Sequence, residues 1–170
     1  TRELYIEADD FAEVPPPKFH RLKPDGEVRL MGAYIIKCNE VVRSDDGSIK
    51  EIRCTCDLET GNGNPIDGRK IKGTIHWLSE KNAKKCTVKL YDKLFTIENT
   101  GDIPEDKTYD DYLNINSVTK YENCKVEPAL KDAGDAERFQ FVRNGYFVKD
   151  TKNENTFNLI VGLKDSFKKG

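Results

Sequence analysis

Apolar and polar residues alternate with a period of two along most of this chain, and that alternation fixes what it can fold into. Successive side chains of a strand point to opposite faces, so a period of two marks half-buried strands and excludes an amphipathic helix. It predicts strands over 28–43, 49–57, 69–78, 86–97, 115–121, 138–149 and 157–163. Ser44-Asp45-Asp46-Gly47 reads as a tight turn, Glu59–Gly68 (ETGNGNPIDG) as a loop of turn residues, and Asn144-Gly145 as a turn or bulge. Gly32 is expected to bend the long first strand. Helical signal is confined to one turn each at 79–85 and 105–113. Many short strands joined by polar turns give an all-β fold, expected as two packed antiparallel β-barrels with little helix.

The expected division is a first barrel over 18–97, an acidic connection over 98–114, and a second barrel built from 1–17 plus 115–170. Hydrophobic residues make up 36% and charged residues 34% of the 170, and the apolar ones fall in periodic runs, which argues against disorder. No apolar run approaches the ~20 residues of a membrane span, and the acidic start TRELYIEADDF has no signal-peptide core. The missing initiator Met suggests a piece of a longer chain. Five cysteines without a Cys-x-x-Cys pair read as reduced thiols of a cytoplasmic protein, and no metal site is expected.

No nucleophile–base set, P-loop or dinucleotide fingerprint is present, so no catalytic residue is assigned. The near-neutral total hides an uneven charge distribution. Residues 68–93 hold eight cations against two acids, a local net of +6, and residues 98–112 hold six acids against Lys107, a net of −5. Basic stretches attract polyanions and acidic ones repel them. VPPPKFHRL (14–22) sets Lys18, Phe19, His20 and Arg21 after three prolines, which hold an extended backbone. FQFVRN (139–144) offers Gln140 and Arg143 beside a turn. An amide and a planar guanidinium are the groups that read base edges, which makes single-stranded RNA the ligand these segments suit. Phe139 and Phe141 read as core rather than as stacking platforms.

The segments PPKFHRL, EVRLMGAYIIKC, DGRKIKGTIHWLS, VKLYDKLFTI, FQFVRNGYF and FNLIVGLKDSF, in this order, resemble the C-terminal anticodon-binding region of glutaminyl-tRNA synthetases over essentially the whole chain. The resemblance implies two β-barrels and a catalytic domain upstream, where ATP and Mg2+ would serve a class I ligase that joins glutamine to its tRNA. This piece would be non-catalytic and hold no cofactor, with the anticodon loop of tRNA(Gln) as partner and neither DNA nor membrane. It further implies that Arg21 serves the third anticodon base, Arg29 the first base and its phosphate, and Gln140 and Arg143 the middle uracil. Lys18 and His20 fall near the anticodon, and Met31 falls where members place an arginine. The strand around DGRKIKGTIHW would turn Ile71, Ile75 and Trp77 inward and Lys70, Lys72 and His76 outward, with Gly73 admitting a close backbone approach. Two alternatives stay open on the residues alone: the same role in a glutamate–tRNA ligase of archaeal or eukaryotic type, and a free-standing β-barrel that binds ribosomal RNA or a protein.

Overall fold

In the computed structural model, which describes residues 3–163, every regular element is a strand or a short 3₁₀ turn. The all-β expectation holds. The chain divides into two units at Lys81/Asn82.

The first unit contains β1 (Leu4–Tyr5), β2 (Glu27–Leu30), β3 (Ile35–Arg43), β4 (Ile49–Asp57), β5 (Thr74–Ile75) and β6 (Leu78–Ser79). Four of them form a sheet in the order β4-β3-β2-β5, and β1 pairs with β6. The expected single strand over 28–43 is a hairpin. Gly32, at φ +66°, turns the chain so that Leu30 N–H donates to the Tyr34 carbonyl at 2.9 Å. The Ser44–Ser48 turn forms as expected, with Gly47 at φ +83° and the Asp46 carboxylate accepting from the Ser48 amide and hydroxyl. Leu22, Val28, Leu30, Ile36, Cys38 and Ile75 make the core, and Trp77 packs beside them. Leu22 is drawn in from a loop because its N–H donates to the Asp10 carbonyl and its carbonyl accepts from Ala12.

The second unit contains β7 (Lys84–Tyr91), β8 (Val118–Val126), β9 (Arg138–Phe141), β10 (Gly145–Lys149) and β11 (Thr156–Gly162), in one sheet ordered β8-β7-β11-β10-β9. Its core is aromatic. Phe141 stacks on Phe147 with centroids 4.4 Å apart, and Phe139 meets Phe157 edge-on at 5.9 Å. Both Phe139 and Phe141 are therefore core residues, as expected.

Several boundaries differ from the sequence reading. β7, placed in the first barrel, pairs antiparallel with β8 and parallel with β11, so it belongs to the second unit. β1, placed with the second barrel, pairs with β6 in the first unit. The acidic segment 98–114 does not join the units. It lies inside the second, as a long excursion between β7 and β8 held by the Phe95–Leu113 bridge and by Thr96 N–H donating to the Tyr112 carbonyl. β2 and β5 also run parallel, so neither sheet is purely antiparallel, and among the described residues hydrogen bonding closes neither into a barrel. Residues 164–170 of the expected second barrel, including the end of FNLIVGLKDSF, lie outside the described residues, as do residues 1 and 2.

Candidate nucleic-acid interface

In the first unit the segment after the three prolines is turned, not extended. Phe19 N–H donates to the Pro16 carbonyl at 3.2 Å, and Lys18 takes φ +63°. A lysine in the left-handed region costs about 1–2 kcal/mol, a strain that the surrounding structure holds. Lys18 and His20 are exposed. The backbone here is pinned against β5: a Cβ on Gly73 would lie 1.8 Å from the His20 carbonyl oxygen, so only glycine admits the approach. Gly73 in turn accepts from the Arg29 amide at 3.0 Å, which sets the Lys18–Arg21 segment beside β2.

Arg21 follows this contact and precedes the core residue Leu22. Its Nη1 donates to the Asp9 carbonyl at 2.7 Å and its Nε lies 3.3 Å from an oxygen of the fully buried Asp10 carboxylate. The side chain keeps 39% exposure. A guanidinium carries five N–H donors, and two are engaged here. The fork is therefore oriented by the protein and still open to solvent.

Arg29 is occupied differently. Its Nη2 donates to the Gly63 carbonyl at 2.6 Å and its Nη1 to the Gly61 carbonyl at 3.4 Å, so the side chain ties the 59–68 loop to β2. Arg69 anchors the base of the same loop, contacting the carboxylates of Asp57, Asp67 and Glu27. Hydrogen bonds from the Thr60 amide and hydroxyl, with Arg69, hold the Asp57 carboxyl down at about 2. Met31, where an arginine was expected from the family, is 40% exposed, and its carbonyl accepts from Trp77 Nε1 at 3.1 Å.

The expected strand around DGRKIKGTIHW is only partly a strand. Ile75 is buried, Ile71 and Trp77 are half-buried, and Lys70 and Lys72 are exposed as expected. His76, expected outward, is half-buried. The basic stretch 68–93 is divided between the units, and two of its cations are committed to acids: Arg69 as above, and Lys89 to Asp150 at 3.4 Å.

In the second unit Gln140 lies on the exposed face of β9. Its register partner on β10 is Tyr146, and Arg138 is opposite Val148, so these side chains share one face. Tyr146 is 44% exposed. Arg143 sits in the β9–β10 turn at φ +67°, followed by Gly145, where a Cβ would meet the Val161 carbonyl at 2.7 Å. A register shift follows Tyr146 in its pairing with β11, a bulge of the kind that re-aims a side chain. The sequence reading passed over Tyr146 and Arg138. The signal was present, since alternation in RFQF and GYFVK sets Phe139, Phe141 and Phe147 on one face and leaves Arg138, Gln140 and Tyr146 on the other.

These features define a β-rich protein that displays cationic and amide side chains from strands and turns, groups of the kind that read RNA. Models of the tRNA synthetase class I (E and Q) anticodon-binding domain match residues 1–57 and 74–150, and the chain belongs to this family. It is similar to the glutamine–tRNA ligase of Rhodopirellula baltica, with 47% identity over 170 residues covering 98% of this chain and 28% of that protein. The glutamine–tRNA ligases of Stutzerimonas stutzeri and Pseudomonas aeruginosa are 45% and 44% identical over 98% and 99% of this chain. The chain spans 31% of the length of each of these two. Among the described residues no helix is long and apolar enough to cross a membrane.

Proposed function

We propose that this chain is the anticodon-reading part of a cytoplasmic glutamine–tRNA ligase and that its partner is the anticodon loop of tRNA(Gln). The observation that carries the reading is similarity across 98–99% of the chain, through both units, to proteins of that name. ATP, Mg2+ and the joining of glutamine to tRNA belong to the catalytic part of such an enzyme. This chain contributes binding energy that is realised only with the right anticodon, and remote binding of that kind can raise the rate of transfer as well as affinity.

Glutamine anticodons end in guanine and glutamate anticodons in cytosine. A guanidinium fork matches the O6 and N7 acceptors of guanine and has no such pair on cytosine. Arg21, oriented by Asp9 and Asp10 with part of its fork exposed, suits that task. Gln140 suits the edge of the middle base, and the Tyr146 ring beside it offers a stacking surface. Arg29, bound to the 59–68 loop, shapes the site rather than presenting a free fork.

The test is a titration of the chain with a glutamine anticodon stem-loop and with one ending in cytosine, at two stated salt concentrations. The glutamine stem-loop binds more tightly at both. Arg21→Ala weakens it by about 1–3 kcal/mol and leaves the cytosine version unchanged. Equal loss on both RNAs overturns the assignment of Arg21, and affinity that follows salt alone overturns anticodon reading as a whole.

A further inference from the structure

The five cysteines take no part in the reading above, yet four of them stand in register. Cys38 on β3 is opposite Cys54 on β4, and Cys86 on β7 is opposite Cys124 on β8. All five are free thiols. Directly opposed residues of antiparallel strands project to the same face. Their separation depends on which way the backbone groups point: Cα atoms lie about 5.5 Å apart in a hydrogen-bonded pair and about 4.5 Å apart in a non-hydrogen-bonded one.

The backbone of Cys38 answers that question. Its N–H donates to the Gly26 carbonyl at 3.0 Å and its carbonyl accepts from Asp25 N–H at 3.2 Å. Both groups point toward β2 and away from β4. Cys38 and Cys54 therefore form a non-hydrogen-bonded pair, the closer kind, and a Cα separation near 4.5 Å lies within the range a disulfide spans. The two residues differ in access. Cys38 is 1% exposed, whereas Cys54 lies exposed on β4, the edge strand of its sheet. Desolvation of the Cys54 thiol, with the neighbouring Cys38 thiol second, pushes its pKa up to about 11. The Cys86–Cys124 pair lacks an accessible member: Cys86 is buried and Cys124 half-buried. Cys56 is exposed but faces Ile36, so it has no thiol across the ladder.

We propose that Cys38 and Cys54 form an oxidation site, closed to a cross-strand disulfide by a low-molecular-weight disulfide such as oxidised glutathione. The Cys54 thiolate attacks one sulfur of the oxidant, forming a mixed disulfide and releasing one glutathione thiolate. The Cys38 sulfur then attacks the Cys54 sulfur and releases the second. The protein gains one S–S bond and loses two hydrogens, and the oxidant is reduced to two glutathione thiols. Cys54 is the entry point and Cys38 the resolving thiol. The high thiol pKa makes the first step slow at neutral pH, because the thiolate is the nucleophile. The product covalently fixes the edge strand β4 to β3.

The test uses the Cys56→Ser chain, which removes the exposed thiol that has no partner. It is incubated with excess oxidised glutathione, and its intact mass and non-reduced peptides are measured. The expected product has lost two hydrogens, carries no glutathione, and yields one cross-linked peptide containing Cys38 and Cys54. Cys38→Ala in the same background accumulates a stable glutathione adduct on Cys54, and Cys54→Ser yields neither adduct nor link at Cys38. The linked chain melts at a higher temperature than the reduced one, and a reductant reverses the shift. A mixed disulfide that persists on Cys54 when Cys38 is intact, or a first link between Cys86 and Cys124, overturns the proposal.

Discussion

Arg21 and Arg69 are both arginines flanked by acids, and the fold commits them to different ends. Arg69 spends its guanidinium on three carboxylates from Glu27, Asp57 and Asp67. Arg21 contacts one buried carboxylate and one carbonyl. Sequence alone counts each as a unit of positive charge, because partners 12 and 42 residues away are set by folding. The Asp57 network has a consequence in acid. Its carboxyl titrates at about 2 in the folded chain against an ordinary 3.8, so the stability it contributes is full above about pH 4 and is lost as pH falls toward 2. Urea unfolding midpoints of the first unit therefore fall across that window, and Asp57→Asn, already lower at neutral pH, shows a shallower decline. Gly73 gives a second prediction at this scale. Gly73→Ala drives a methyl into the His20 carbonyl and destabilises the first unit by about 1–3 kcal/mol or more, read as a drop in urea midpoint. The need for glycine there follows from the strand resemblance, but the identity of the opposing carbonyl does not.

At the scale of elements, alternation located β4 and β11 to within a residue, found β7 but carried it six residues too far, and ran β2 and β3 together as one strand. It failed where the chain turns inside an apolar run. VRLMGAYII alternates poorly around Met31–Tyr34, and the hairpin there is set by the positive φ of Gly32. It failed again at 69–73, where the residues carry a strand-like pattern yet do not join the ladder, since the close approach of His20 occupies that position. The β9–β10 hairpin brings the most useful element-scale test. Its outer face pairs Gln140 with Tyr146 and its inner face carries the phenylalanines. Tyr146→Phe keeps the ring and retains binding of the glutamine stem-loop. Tyr146→Ala weakens it by about 1–3 kcal/mol, the usual cost of removing an aromatic that stacks on a base, without moving the melting temperature much. Fluorescence titration with a reporter base in the middle anticodon position reads both.

At the scale of the whole molecule, two separate apolar clusters support the four-stranded and the five-stranded sheet. Their existence was legible in the number and spacing of strands. Their boundary was not, because period-two alternation says which face is buried and nothing about which strand lies alongside. β7 shows this: its pattern fits either sheet, and its pairings assign it to the second unit, antiparallel with β8 and parallel with β11, 69 residues on at Thr87–Thr156. Phe157→Ala, which empties the centre of the aromatic cluster, is expected to cost about 3–5 kcal/mol. Hydrogen exchange should show β7–β11 losing protection while β2, β3 and β5 keep theirs. Loss of protection throughout would mean that the two cores do not act separately.

The strand order of the second unit also governs how that unit is made. Among the described residues β11 is the last strand in sequence, yet it occupies the middle of its sheet, between β7 and β10. While the chain emerges during translation, two hairpins, β7–β8 and β9–β10, must wait with unpaired inner edges until the strand between them is synthesised. Such edges invite pairing with other chains, and long-range parallel closure is slow. A nascent chain halted before Thr156 should therefore bind chaperones through its second half, while the first half, whose described strands have by then been made, resists protease.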